Sequence, residues 1–149
     1  MKAQRIPPPI WFAVALAFVV VLHRYLPLAS LIPAPWHYAG IALAALGAAL
    51  AVWTVVLFRR ARTTIIPFQE SSALITSGSY RFTRNPIYLS MASLLLGAAV
   101  FAGSLSPFVV VPAFILIIEK LFISTEEAML AQRFPAEYAA YSARVRRWL

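Results

Sequence analysis

Long apolar runs separated by short polar breaks dominate the chain, and the runs are too evenly apolar to be the faces of soluble helices. Four of them approach the ~20 residues that carry a helix across ~30 Å of hydrocarbon: Pro7 to Leu26, Tyr38 to Phe58, Pro86 to Phe101 and Pro107 to Ile123. The pattern predicts an all-α integral membrane protein, a single domain over residues 1–149 with about four transmembrane helices. The third and fourth runs are short and Pro112 falls inside the fourth, which leaves tilt, local thinning or a re-entrant hairpin open for that pair. A polar loop, 59–85, separates the second run from the third, and a segment covering 124–149 follows the fourth. There Phe134-Pro135 breaks the helix, and Ala136 to Leu149 is expected to resume as an amphipathic one, with Tyr138, Tyr141, Val145 and Trp148 at three- and four-residue spacing. Such a helix is either a basic anchor on anionic lipid or a cover folded over the central loop.

Finer punctuation agrees with the spans. Pro7, Pro8 and Pro9 suit a helix start, where the first amides have no intrahelical acceptor to lose. The first stretch follows Met1-Lys2-Ala3-Gln4-Arg5, as in a signal peptide, but three more apolar runs come after it and no clear small-residue cleavage site intervenes. Trp36, His37 and Tyr38 read as an interfacial belt. Gly40 and Gly47, seven apart in a run rich in alanine, share one helix face and predict a close-packing seam, internal or in a homodimer. In the loop, Thr63 to Pro67 is β-prone, and Ser71 to Gly78 has turn chemistry.

Composition reinforces the bilayer. A chain of 149 residues that is 62% hydrophobic and 12% charged cannot hide its apolar surface in one small soluble core. The formal net charge of +8 does not point to nucleic acid, because the basic residues sort by membrane side. Of the 13 Lys and Arg, only Arg24 falls opposite the others, so both termini and the central loop are expected on the cytoplasmic side of a bacterial inner membrane. No cysteine is present, which excludes thiol nucleophiles and disulfides. His23 and His37 lie near the extracytoplasmic end without a companion carboxylate, and no metal site is expected.

Two polar clusters bracket the last apolar pair: Gly78-Ser79-Tyr80-Arg81-Phe82-Thr83-Arg84-Asn85-Pro86-Ile87-Tyr88, and Glu126-Glu127-Ala128-Met129-Leu130. Arg84-Asn85 before Pro86 place a cation and an amide at a helix N-terminus, which suits an anionic group; the plainer reading is a helix cap and membrane anchor. Gly78 permits a tight backbone approach, and Tyr80 and Tyr88 offer ring faces with hydroxyl handles. Glu126 and Glu127 point about 100° apart on a helix, so one can pair with arginine while the other faces a pocket and holds an amine or a sulfonium. A purely structural arginine–glutamate network explains them equally well. Glu119 and Lys120 read as snorkelling interface residues in preference to a substrate-facing pair.

Three stretches in order, Phe58 to Pro67, Leu74 to Ser90 and Glu126 to Phe134 followed by Tyr138, Tyr141 and Val145-Arg146-Arg147, resemble the bacterial members of the isoprenylcysteine carboxyl methyltransferase family, related to phospholipid methyltransferases. The resemblance covers about residues 38 to 149. It implies an integral-membrane methyltransferase that uses S-adenosylmethionine, held on the cytoplasmic side by the central loop and the C-terminal region. Carried over by motif, Tyr80, Arg84, Asn85 and Tyr88 line the cofactor pocket, Glu126 and Glu127 supply carboxylates near its amino or sulfonium groups, and backbone amides near Gly78 hold its carboxylate. Arg84, Asn85 and Glu127 are the implied catalytic set, and the acceptor is a lipophilic small molecule, a lipid or a prenylated group entering from the membrane lipids. Asn85 stands where eukaryotic members usually have histidine, Ser79 where proline is common, and Pro135 where glycine is expected. Asparagine does not titrate near neutrality, so a carboxylate acceptor, which needs no general base, is slightly preferred. The alternatives are a nicotinamide-dependent membrane reductase of the sterol-reductase type and a non-catalytic small membrane protein or transporter.

Overall fold

A computed structural model of the chain describes residues 6–61 and 74–149, and among these the architecture is helical. The elements are α1 (Pro8–Tyr25), α2 (Ala39–Arg60), α3 (Pro86–Ala102), α4 (Val110–Ile118), α5 (Ser124–Arg133) and α6 (Pro135–Ser142), with 3-10 turns at Trp36–Tyr38, Gly78–Arg81 and Ser106–Val109. Three helical stretches have the length and apolarity to cross a membrane, namely Pro8–Tyr25, Trp36–Arg60 and Ser106–Arg133; α3, at 17 residues, is a shorter apolar helix. The β-prone run from Thr63 to Pro67 and residues 71–73 of the expected turn lie outside the described residues.

Two expectations change. Pro112, whose place inside the fourth run left tilt, thinning or a re-entrant hairpin open, sits in the first turn of α4, and the helix runs on past it. The helix continues through a π-helical turn, Glu119–Ile123, into α5, so the short fourth apolar run lies within the longest of the three candidate membrane-crossing helical stretches, Ser106–Arg133. The segment from Ala136 to Leu149 is not one helix either. Helix α6 stops at Ser142, and the backbone of Arg146 and Arg147 beyond it bonds to other parts of the molecule, as described below. The second helix also reaches Arg60, two residues into the expected loop.

Helix α3 is the axis of the bundle, with Leu95 and Ala99 fully buried, α2 along one side, and α1 and α4 along another. The α2 contact is close enough to be backbone on backbone. A Cβ on Gly97 would meet the Gly40 carbonyl oxygen at 2.6 Å, and one on Gly47 would meet the Ser90 carbonyl oxygen at 2.9 Å. The Gly40/Gly47 face is therefore filled internally by α3. On the other side, Leu95, Ala99, Phe114 and Ile118 form the core with Val19 of α1, and Trp148 from the chain end packs against it.

At the end where α1 meets the α3–α4 turn, Gly103 closes α3 in the left-handed region, φ 76°, and its carbonyl accepts from the amides of Leu31 and Ile32 at 2.8 and 3.0 Å. The Leu105 amide donates to Ala29, His23 Nδ1 lies 2.8 Å from Ser104 Oγ, and the Ser106 hydroxyl donates to the Leu26 carbonyl. His37 and Tyr38 stack with each other and with Phe101, whereas Trp36 is exposed. The starts of α1 and α3 and the ends of α2 and α5 gather at the opposite end, and that is where the charged side chains of the described residues lie, Arg24 excepted.

Candidate active site

Glu126 and Glu127 open α5 directly after the π-helical turn. A π turn inserts one residue into the helical register, so this segment sets which way the two carboxylates face, and such turns concentrate at functional sites. Its opened backbone is capped by the Ser124 hydroxyl, which donates to the Glu119 carbonyl at 2.9 Å. The two carboxylates then have different company. The Tyr88 hydroxyl donates to Glu126 Oε1 at 2.7 Å, and no cationic side chain among the described residues pairs with Glu126. Glu127 is gripped by Arg147, whose Nε and Nη2 donate to Oε1 and Oε2 at 3.1 and 2.7 Å, a bidentate pair.

The two arginines divide in the same way. Arg147 also pairs through Nη1 with Glu119, so each of its three guanidinium nitrogens has a carboxylate partner. Glu119 is thus drawn inward to an ion pair and does not snorkel outward as expected from sequence, while Lys120 is exposed. Arg84 is held loosely. Its Nη1 donates to the Tyr138 hydroxyl at 3.3 Å, its Nη2 is 3.5 Å from Glu127 Oε1, and its buried Nε has no hydrogen-bond partner. With side-chain exposure of 16%, Arg84 is too shielded for water to replace those bonds cheaply.

The C-terminal residues lock onto the start of α3. The Arg84 amide donates to the Arg146 carbonyl at 2.9 Å, and the Arg147 carbonyl accepts from Thr83 Oγ1 at 3.1 Å and Asn85 Nδ2 at 3.0 Å. These bonds hold the residues that follow α6 against the start of α3. Tyr141 donates to the Tyr80 carbonyl at 2.8 Å, and Thr54 Oγ1 lies 3.0 Å from Ser79 Oγ, joining the 3-10 turn to α6 and α2. Of the two readings of the last segment, the cover over the central loop describes what the contacts show.

Tyr80 packs edge-on against Phe58, and burial, then the Glu126 and Tyr141 charges, push its phenol above the usual range. Burial likewise raises Tyr141, opposed by Arg84. Both hydroxyls stay protonated near neutrality, as donors and not bases.

Arg84, Asn85, Tyr88, Glu126 and Glu127 are therefore brought together, with Tyr80 beside them. Gly78 is not part of this network. It has φ 59°, and Leu57 Cδ1 stands 2.5 Å from where its Cβ would be, so it serves the turn and the α2 contact. The amides of Tyr80 and Phe82 are used within the same turn. Arg147, Glu119, Thr83 and Tyr138 were not singled out as site residues. The partners of Arg147 lie 20 and 28 positions away, and the sequence signal is the pair of adjacent carboxylates, Glu126 and Glu127, near an otherwise basic end.

A hollow of about 350 Å³ lies at the other end of the bundle, lined by residues including His23, Ser30 and Ser104, with no carboxylate or guanidinium among them. Among the described residues no group of histidine, aspartate and glutamate is disposed to hold a metal.

A family model for phospholipid methyltransferases matches residues 35–137, a stretch that runs from the turn before α2 into α6 and contains both polar clusters. The chain belongs to the phospholipid methyltransferase family. The resemblance drawn from the three motifs is thereby borne out at the level of this family, and the protein is an integral-membrane member of a methyltransferase family. An uncharacterized protein of Haemophilus influenzae is 38% identical over 63 residues, which are 42% of this chain and 100% of that protein. Arg147, the partner of Glu127, lies beyond the matched stretch of the phospholipid methyltransferase model.

Proposed function

We propose that this phospholipid methyltransferase family member transfers a methyl group from S-adenosylmethionine to a lipophilic acceptor at the cytoplasmic face of a bacterial inner membrane. The observation that carries the reading is Glu126, a partly buried carboxylate hydrogen-bonded by Tyr88 and paired with no cation among the described residues. A shielded carboxylate without a counter-ion favours a cationic ligand. The cluster as a whole agrees: the carboxylates of Glu119, Glu126 and Glu127 outnumber the guanidiniums of Arg84 and Arg147 by one.

S-adenosylmethionine supplies, when bound, a methyl group activated by a sulfonium, along with one ammonium and one carboxylate. Glu126 and the Tyr88 ring suit its cationic part, and Arg84, with an unpaired Nε and long contacts elsewhere, suits its carboxylate. Glu127 and Asn85, both engaged with Arg147, hold the frame. The contribution of these side chains is to fix donor and acceptor in attack geometry. Asn85 cannot accept a proton, and the Tyr80 phenol is held protonated, so a carboxylate acceptor, already ionised, matches this set best.

The test is incubation of the detergent-purified protein with methyl-labelled S-adenosylmethionine and prenylated or fatty carboxylic acids. Base-labile label in the organic phase supports the reading. Failure to label any lipid, with reduction of a lipid at the expense of a nicotinamide dinucleotide, would replace it with the reductase alternative.

A further inference from the structure

The Oε1 atom of Glu127 stands between two guanidiniums, 3.1 Å from Arg147 Nε and 3.5 Å from Arg84 Nη2, and only the first contact meets hydrogen-bond geometry. Its other oxygen is committed to Arg147 at 2.7 Å. The position of Arg147 is itself fixed from two directions, by the Glu119 carboxylate on its side chain and by Thr83 and Asn85 on its backbone carbonyl. Glu127 is thus drawn to one side of a three-member array, and Arg84 is left with weak contacts. Without Arg147, Coulomb attraction would close Glu127 onto Arg84, since the two already lie within ion-pair distance in a shielded site.

We propose that Arg147 is a positioning residue that competes with Arg84 for Glu127, and so keeps the Arg84 guanidinium available to an anionic group of the ligand. Asn85 and Thr83 take part by holding the C-terminal strap in register. This inference rests on the reading of the site as one that binds S-adenosylmethionine. It adds a role for a residue outside the matched family stretch, and it gives Asn85 a task that needs a donor amide and no titration.

The test uses two ligands that differ in the group Arg84 would take: S-adenosylhomocysteine, which has the amino-acid carboxylate, and methylthioadenosine, which lacks it. Calorimetry on the full chain in detergent is expected to show that Arg147→Met weakens the first by about tenfold or more and leaves the second unchanged. Adding Glu127→Gln to Arg147→Met is expected to restore most of the loss, because no carboxylate remains to capture Arg84. Asn85→Asp, which turns a donor into a charge facing the Arg147 carbonyl, should imitate Arg147→Met. Thermal melting of each variant reports folding separately. Equal weakening of both ligands, or failure of Glu127→Gln to restore binding, would reduce Arg147 to a structural tie and overturn the proposal. Wild-type protein that binds neither ligand removes the underlying reading together with it, whereas normal binding by Arg147→Met removes this inference alone.

Discussion

At the end of the bundle where α1 meets the α3–α4 turn, neutral groups hold the chain together: Gly103 accepts two amides, Leu105 donates to Ala29, and His23 meets Ser104. At the opposite end, Arg84 and Arg147 are set against Glu119, Glu126 and Glu127, and the Thr83 and Asn85 side chains and the Arg84 amide donate to the backbone carbonyls of Arg147 and Arg146. Both ends join distant segments, so tying the chain together is not what sets them apart. The neutral end satisfies its groups with uncharged pairs of their own and would gain little from a ligand. The charged end leaves Glu126 without a cation and Arg84 Nε without an acceptor, which costs stability unless something else is bound there.

The difference can be broken most severely at the charged end. Arg84→Ala and Glu126→Gln are expected to weaken S-adenosylmethionine binding by about a hundredfold each, with little change in melting temperature, as calorimetry and thermal melts would show; a charge-assisted contact is worth ~1.5–3 kcal/mol. Loss of binding accompanied by loss of folding would mean that the charged end is only structural. The neutral end should show the converse. Gly103→Ala forces a side chain into φ 76° with its Cβ 2.7 Å from the Ile32 carbonyl oxygen, and should cost about 1–3 kcal/mol in denaturation while the folded protein binds normally. A smaller effect of the same kind, about 1 kcal/mol, is expected for Ser104→Ala, which removes the partner of His23.

The mildest way to sharpen the comparison is pH. Burial raises the phenols of Tyr80 and Tyr141 in the folded chain above the value near 10 that they have when unfolded. The unfolded chain therefore releases these protons first as pH rises. The stability tied to them is intact below about pH 10 and declines above it, so melting temperature should fall there and fall less in Tyr141→Phe. An unchanged fall in that variant would show that other groups govern it.

How much of this was legible in the sequence follows from the range of each interaction. Helices α1 and α2 could be read closely because a bilayer demands an apolar run of fixed length, and Pro8 and Pro86 mark helix starts for local reasons. The Gly40/Gly47 seam was visible as a seam, but its partner was not, since Gly97 lies far along the chain. The π turn at Glu119–Ile123 has no sequence mark, because apolar and amphipathic residues there suit an α-helix equally well. The hold of Thr83, Arg84 and Asn85 on the Arg146 and Arg147 carbonyls, which fixes the chain beyond α6, joins residues far apart in sequence and leaves no mark in a helical pattern. At the charged end, residue types singled out Arg84, Tyr88, Glu126 and Glu127, which the fold brings together, while the unequal commitment of the two arginines and of the two glutamates depends on tertiary geometry that spacing does not encode.

The most direct test of the central claim is calorimetric titration of the detergent-purified chain with S-adenosylmethionine and its demethylated product, beside Glu126→Gln and a reduced nicotinamide dinucleotide control. Saturable binding of the first two by the wild type, greatly weakened in Glu126→Gln and absent with the dinucleotide, is the predicted result. Equal binding by Glu126→Gln, or binding of the dinucleotide alone, would contradict the assignment of the charged end as a methyl-donor site.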